Sequence, residues 1–259
     1  MTLTDHHRML HDILQHGRIS TLFQPIRATD GQQVIGYEAL SRGPANSPLH
    51  SPDALFAAAR QCGRLLDLDM LCRHQAIRRF AANHLPGRLF LNVLPETLLD
   101  RQHEQGRTLR MLSQAGLTAD QVVIELTEQS PIDDYALLQS ALRYYRHMGF
   151  TIALDDLGAG YSGLRLWTEM MPEFVKVDRH FIDGIHRNEL KREFVGSMLR
   201  MAKASGATLV AEGVERAEEL RVLEQLGAPM VQGYLLGRPR PYRPAPPSGA
   251  EQVTHSYCG

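Results

Sequence analysis

Little in this sequence would staple, anchor or steer the chain. Its three cysteines, Cys62, Cys72 and Cys258, form neither an even set nor a metal-ligand spacing, so reduced thiols are expected rather than a disulfide framework or a cysteine zinc site. No apolar run approaches membrane-spanning length, and the opening Met-Thr-Leu-Thr-Asp-His-His lacks the basic stretch and apolar core of an export signal. The expectation is a soluble, cytoplasmic protein with no membrane segment. A formal net charge of -1 gives no global attraction to a nucleic-acid polymer or an anionic membrane, so any anionic substrate must be held by local groups. No internal repeat is visible. The 43% apolar and 22% charged fractions are those of an ordinary globular chain, and 259 residues suffice for one large domain with a full core.

What is present centres on Thr151 to Gly163, Thr-Ile-Ala-Leu-Asp-Asp-Leu-Gly-Ala-Gly-Tyr-Ser-Gly. An apolar, β-branched start that stops at two adjacent carboxylates and a glycine-rich stretch reads as a buried strand delivering charge into a tight loop. Two aspartates at a strand end repel one another and resist burial, so either water solvates them or a cation binds between them. A solvated turn in which one Asp caps the next helix accounts for one carboxylate better than for two.

The flanking pattern supplies a frame. Apolar residues at Met9, Leu10, Ile13 and Leu14 predict a helix over His7 to His16. Leu22 to Arg27 and Gln33 to Leu40 flank Asp30-Gly31 too closely for a crossover, so they must pair antiparallel, with Gln24 about opposite Glu38. Helical patterns at Pro52 to Gln61 and Leu65 to Phe80 lead to a strand at Arg88 to Val93. Thr108 to Ala115 leads to Val122 to Leu126, and Tyr135 to Met148 to the strand ending at Asp155. Leu164 to Met171 precedes Phe174 to Val177, Lys191 to Ser205 precedes Thr208 to Ala211, and Ala217 to Leu226 precedes Met230 to Gly233. Eight strands with helices between all but the first two predict an α/β fold, a modified TIM-type (β/α)8 barrel with an antiparallel first strand. An open doubly wound sheet is the alternative, weakened by the lack of a glycine-rich phosphate-binding turn after an early strand. Residues 1–240 would form this barrel, and the proline-rich 241–259 would be a disordered tail with no catalytic role.

Barrel chemistry gathers where the strands end. The residues delivered there are Gln24 beside Glu38, then Asn92, Glu125, Asp155 with Asp156, Lys176 with Asp178, Glu212 with Glu215, and Gln232. Any one would be unremarkable in a solvated loop, but eight strands converging on one rim point to a site. None of the histidines falls at a strand end, so the oxygen-rich set suits Mg²⁺ or Mn²⁺ better than Zn²⁺. The acidic groups exceed the needs of one ion. Two ions roughly 3.5 to 4 Å apart, sharing an aspartate, would clamp the attacking and leaving oxygens of a phosphoryl displacement. Lys176 would then hold a hydrolytic water or offset phosphate charge, although a structural pairing with a carboxylate is an equal reading of it. Arg42 in such a place is usually a surface charge, but beside a metal cluster it could bind a phosphate. Trp167, Tyr144 and Tyr145 sit on helical patterns and are read as packing, and His180 as a loop residue.

With these residues in place, the chain resembles the EAL-domain family of cyclic di-GMP phosphodiesterases over Leu10 to Arg240. The resemblance rests on Phe-Gln-Pro-Ile at 23–26, Glu38-Ala39-Leu40, Leu-Asn-Val at 91–93, Glu-Leu-Thr-Glu at 125–128 and Asp155-Asp156. It continues through Lys-Val-Asp at 176–178, Ala-Glu-Gly-Val-Glu at 211–215 and Gln-Gly-Tyr at 232–234. It implies hydrolysis of cyclic di-GMP to linear pGpG in bacterial signalling, with two Mg²⁺ or Mn²⁺ ions per site. By that resemblance Glu38, Asn92, Glu125 and Asp155 would hold the first ion, and Asp155, Asp156 and Glu212 the second. Lys176, Glu212 and Glu38 would be the catalytic set, with Lys176 positioning the attacking water and Glu212 the candidate to take its proton. Gln24, Arg42, Asp178 and Gln232 would contact substrate, Glu215 would support the metals, and Glu128 would brace the loop from Asp156 to Gly163. A homodimer is expected on the same ground. Leu157, Ala159 and Gly163 depart from the commoner Phe, Thr or Ser, and Ser, but no ligand is lost. A receptor that binds cyclic di-GMP without cutting it is the alternative function; members used that way have typically lost a ligand or the lysine.

Overall fold

Strand β1 (Ser20–Ala28) and strand β2 (Val34–Arg42) run antiparallel, with Gln24 directly opposite Glu38, the register expected from the intervening turn. A computed structural model describes residues 3–99, 106–127, 134–158 and 163–242. Six further strands follow: β3 (Arg88–Asn92), β4 (Val122–Thr127), β5 (Thr151–Leu157), β6 (Phe174–Val177), β7 (Thr208–Ala211) and β8 (Met230–Gln232). From β2 to β8 neighbours pair in parallel, and β1 closes the ring antiparallel to both β2 and β8. The eight-stranded modified barrel anticipated from the sequence is therefore the fold. Among the described residues, no helix is long and apolar enough to cross a membrane.

Helix α1 (Leu3–His16) precedes the barrel. Helices α2 (Pro52–Gln61) and α3 (Leu65–Ala82) separate β2 from β3, and α4 (Pro95–Leu99) with α5 (Arg107–Ala115) follow β3. Helix α6 (Tyr135–His147) and helix α7 (Gly163–Met170) flank β5. A short α8 (Arg179–Ile182) and the longer α9 (Glu189–Ser205) lie between β6 and β7, and α10 (Ala217–Leu226) precedes β8. The one-turn helices α4 and α8 have no sequence signature long enough to show periodicity, so the pattern did not reveal them. His180, read as a loop residue, lies in α8. Trp167 and Tyr145 are buried as expected, whereas Tyr144 is 38% exposed and rests edge-on against Tyr145.

The interior of the barrel explains the site's position. Ile26, Phe90, Val123, Ala153, Phe174 and Val210 form one buried apolar layer, with Met230 packed against it. Gly36 completes the layer on β2, where a Cβ would stand 2.9 Å from the Phe90 ring. Side chains on a strand alternate faces, so the next inward position lies two residues further toward the mouth. Those positions are Glu38, Asn92, Glu125, Asp155, Lys176, Glu212 and Gln232, and on the reversed β1 Gln24. An apolar floor thus carries a complete polar layer directly above it. The chain after β8 returns across the barrel, where Arg240 bridges to Phe23 and Tyr242 packs edge-on against Phe23 and Tyr37. Residues 243–259, most of the proline-rich tail, lie outside the described residues.

Candidate active site

Adjacent residues on a regular strand point to opposite faces, so Asp155 and Asp156 should not share a site. They do because β5 carries a bulge. Leu154 pairs with Val175 and Leu157 with Val177, which leaves one extra residue on β5. Asp156 takes it up at φ +56°, a left-handed conformation that aspartate tolerates better than most side chains. The bulge re-aims the second carboxylate, and Asp155, Asp156 and Glu212 each offer an oxygen within 4.8 Å of the others. Glu38, Glu125 and Asp155 form a second such trio. Asp155 belongs to both.

Lys176 stands at the centre, 1% exposed. Its Nζ lies 2.8 Å from Glu125 Oε1, 2.8 Å from Glu212 Oε1, 2.9 Å from Asp155 Oδ1 and 3.3 Å from Glu38 Oε2. Three N–H protons cannot serve four carboxylates, and Glu125 Oε2 is buried with no hydrogen-bond partner among the described residues. Burial and the neighbouring carboxylates push Glu125, Glu212 and Asp155 above the usual carboxylate range despite the ammonium. Burial and then the Asp155 charge raise Asp156 to about 7. Burial also opposes ionisation of Glu38, but Lys176 and hydrogen bonds from Gln232 and Asn92 more than offset it and hold its carboxyl low. Burial would lower Lys176, yet Asp155, Glu125, Glu212 and Glu38 drive it well above the ordinary lysine value, so it stays charged.

The remaining expected residues fall at different distances from this centre. Asn92 Nδ2 donates to Glu38 Oε1 at 3.1 Å, and Gln232 Nε2 donates to Glu38 Oε2 at 2.6 Å and to Gln24 Oε1 at 3.3 Å. Gln24 Nε2 in turn donates to Gly237 O at 3.2 Å, so both glutamines sit inside a buried hydrogen-bond chain that ends on Glu38. Arg42 lines the same cleft of about 340 Å³ as Glu38, Asn92, Asp155, Asp156, Lys176 and Glu212, and its Nη1 donates to Ser41 O. Asp178 and Glu215 lie on the adjoining wall with Gln24, Asp156 and Glu212. One Asp178 oxygen accepts from His180 N and caps α8, while Glu215 pairs with Arg179 at 3.1 Å rather than with the cluster. Glu128 lies outside the described residues.

Two buried groups escaped the sequence reading. Glu219 is fully buried in α10 and accepts from the backbone N–H of Gly184, Glu215 and Arg216, which fixes the loop that carries Glu215. Asp69 and Arg73 on α3 form a buried ion pair, and Thr97 on α4 bonds to both while lying a few residues beyond Asn92. Their i,i+4 spacing was the available signal, but on an exposed helix face it would read the same.

Five carboxylates against one ammonium leave a formal charge of -4 in a largely buried mouth, a surplus suited to hard divalent cations. A family model described as the EAL domain matches residues 7–239. The chain belongs to the EAL-domain family. Among relatives of this EAL domain, the probable cyclic di-GMP phosphodiesterase PdeA of Escherichia coli K12 is 29% identical over 235 residues, 88% of this chain and 31% of its own length. The chain thus spans about a third of the curated relatives it matches first. The manganese and cyclic di-GMP complex of Klebsiella pneumoniae BlrP1 is 33% identical with a TM-score of 0.79, covering 86% of this chain and 56% of that one. A stand-alone EAL protein from Vibrio cholerae O395 with cyclic di-GMP bound is 29% identical with a TM-score of 0.78, over 86% and 92% of the two chains.

Proposed function

We propose that this EAL domain is a two-metal phosphodiesterase that opens one phosphodiester bond of cyclic di-GMP to give linear pGpG, with Mg²⁺ or Mn²⁺ as cofactor. The observation that carries this reading is the membership of Asp155 in both acidic trios around a buried lysine. Glu38, Asn92, Glu125 and Asp155 would hold one ion, and Asp155, Asp156 and Glu212 the other. The formal -4 of the mouth matches two divalent charges. Ions bound there supply charge stabilisation at the phosphate and a competent nucleophile near neutral pH.

The chain's own groups divide the remaining work. Lys176, fixed on β6 and permanently charged, positions the attacking water and offsets negative charge as it develops on the phosphate. Glu212, whose carboxyl is raised by burial and lies 2.8 Å from Lys176 Nζ, is the group in reach to take the water's proton. Glu38 is oriented by Asn92 and Gln232 so that both oxygens are aimed before substrate arrives. Arg42 would meet a phosphate oxygen and Asp178 a substrate donor with the oxygen not used for capping. Gln232 Oε1, buried without a partner among the described residues, is the atom left for substrate in the glutamine pair, and Gln24 completes that wall. Glu215 would support the metal side of the mouth through the loop that Glu219 holds. The free thiols Cys62 and Cys72 support a reducing, cytoplasmic setting, and the reading includes a homodimer, which sedimentation checks.

The test is incubation with cyclic di-GMP and each of Mg²⁺ and Mn²⁺, with chromatographic detection of pGpG. Binding without product under both metals would replace the enzyme by the receptor reading. The complete set of acidic groups together with Lys176 weighs against that alternative.

A further inference from the structure

The chain that leaves the Asp155–Asp156 bulge is pinned at two successive residues. Leu157 O accepts from Asp178 N at 3.2 Å. Gly158, at φ +101°, lies directly on the ring of Phe181: a Cβ there would stand 2.1 Å from Phe181 Cε2. Backbone therefore meets ring with no side chain between them, and the position of Phe181 sets the position of Gly158. Phe181 is itself stacked on Phe194 of α9, with ring centroids 3.9 Å apart and planes 13° from parallel.

Helix α9 is a firm support. Val195, Met198 and Ala202 bury it against the core, and Lys191 in its first turn reaches the carbonyls of His180 and Asp183, which straps α8 down. Phe194 is half-buried and packs against the edge of the core. Its one ring partner among the described residues is Phe181.

We infer that Phe194 is a positioning residue for the metal-holding bulge. By bracing Phe181 it fixes Gly158, and through the two intervening peptide units it fixes the direction of the Asp156 carboxylate. Asp156 belongs to the trio with Asp155 and Glu212 and not to the trio with Glu38 and Glu125. Loosening the brace therefore acts first on the site that holds Asp156, since the other site draws Glu38, Asn92 and Glu125 from β2, β3 and β4. This inference rests on the two-ion reading above.

The experiment is Mn²⁺ binding to the full chain, by calorimetry and by the spin-coupled electron paramagnetic resonance signal of a manganese pair, without substrate. Phe194→Ala and the milder Phe194→Leu should weaken one Mn²⁺ site by about three- to tenfold, the worth of an aromatic stack, and reduce the coupled signal. The other site should stay within about twofold of the parent, since Glu38, Asn92 and Glu125 stand on β2, β3 and β4, apart from the braced bulge. Phe194→Tyr, which keeps the stacking face, should restore the weakened site. A purely structural role would lower thermal stability without separating the two sites. If the parent protein binds fewer than two Mn²⁺ at saturation, the two-ion reading falls and takes this inference with it. If the parent binds two and the Ala and Leu variants bind both unchanged, or lose both equally with no rescue by Tyr, the inference alone is overturned.

Discussion

Replacing Lys176 by methionine keeps most of the side-chain volume and removes the only cation inside the polar layer. In metal-free protein the four carboxylates at 2.8 to 3.3 Å would then face one another across an apolar floor. Breaking a buried ion pair by removing one partner costs about 3 to 5 kcal/mol, which for a domain of this size lowers Tm by about 6 to 20 °C. The pH dependence has a definite sign. Lys176 has a raised folded pKa, so its contribution is complete below the unfolded value of 10.5 and persists through neutral pH. In the variant the carboxylates, already raised by burial, lose their main counter-charge and take up protons that the unfolded chain does not. Stability of the variant therefore falls as pH rises above the unfolded carboxylate range. The gap from the parent should be small at pH 5 and full at pH 8. Melting followed by circular dichroism in EDTA at both values measures it. Saturating Mn²⁺ should close most of the gap, because two divalent ions replace the lost charge, while turnover stays low for want of the ammonium. A variant that melts within about 2 °C of the parent at pH 8 in EDTA would refute the reasoning, since such a shift corresponds to at most about 1 kcal/mol, well under the loss expected.

Three further outcomes follow from the same layers. Burial raises Asp156 to about 7 from 3.8, so its ionisation costs metal-free protein up to on the order of 4 kcal/mol as pH climbs between those values. Metal binding reverses that cost, so the rise in Tm on adding Mn²⁺ should grow from pH 5 to pH 8, and a constant rise would count against the site. Phe90→Ala should destabilise by about 3 to 5 kcal/mol in urea denaturation, because the fully buried ring supports the apolar layer beneath Glu38 and Asn92. Asp69→Leu alone should cost about 3 to 5 kcal/mol by stranding the Arg73 guanidinium, whereas Asp69→Leu with Arg73→Met should cost less than the single change; a strictly additive double variant would contradict the pairing.

The local signals and the global result meet at different levels. Strand order, the antiparallel start and the Gln24–Glu38 pairing follow from alternation, turn chemistry and segment length, all short-range properties written in consecutive residues. The polar residues at the strand ends were legible for the same reason, because the inward-facing ones, Glu38 after Gly36 apart, follow an apolar residue by two positions. The short helices α4 and α8 and the capping role of Glu219 were not, since one turn carries no period and a buried glutamate looks like any surface one. The bulge that turns Asp156 inward was equally silent: nothing in Ala-Leu-Asp-Asp-Leu says which aspartate will take a positive φ.

By itself the sequence determined which elements form and which side chain each presents at its end, because those depend on neighbours a few residues away. Only the tertiary structure decided that the carboxylates share one lysine. Glu38 and its hydrogen-bond donor Gln232 stand 194 residues apart, and the partners of Lys176 run from Glu38 to Glu212. Closure of the ring, the shift of register in β5 and the ring stack beneath Gly158 set those distances, and each is a contact between segments that no local pattern encodes.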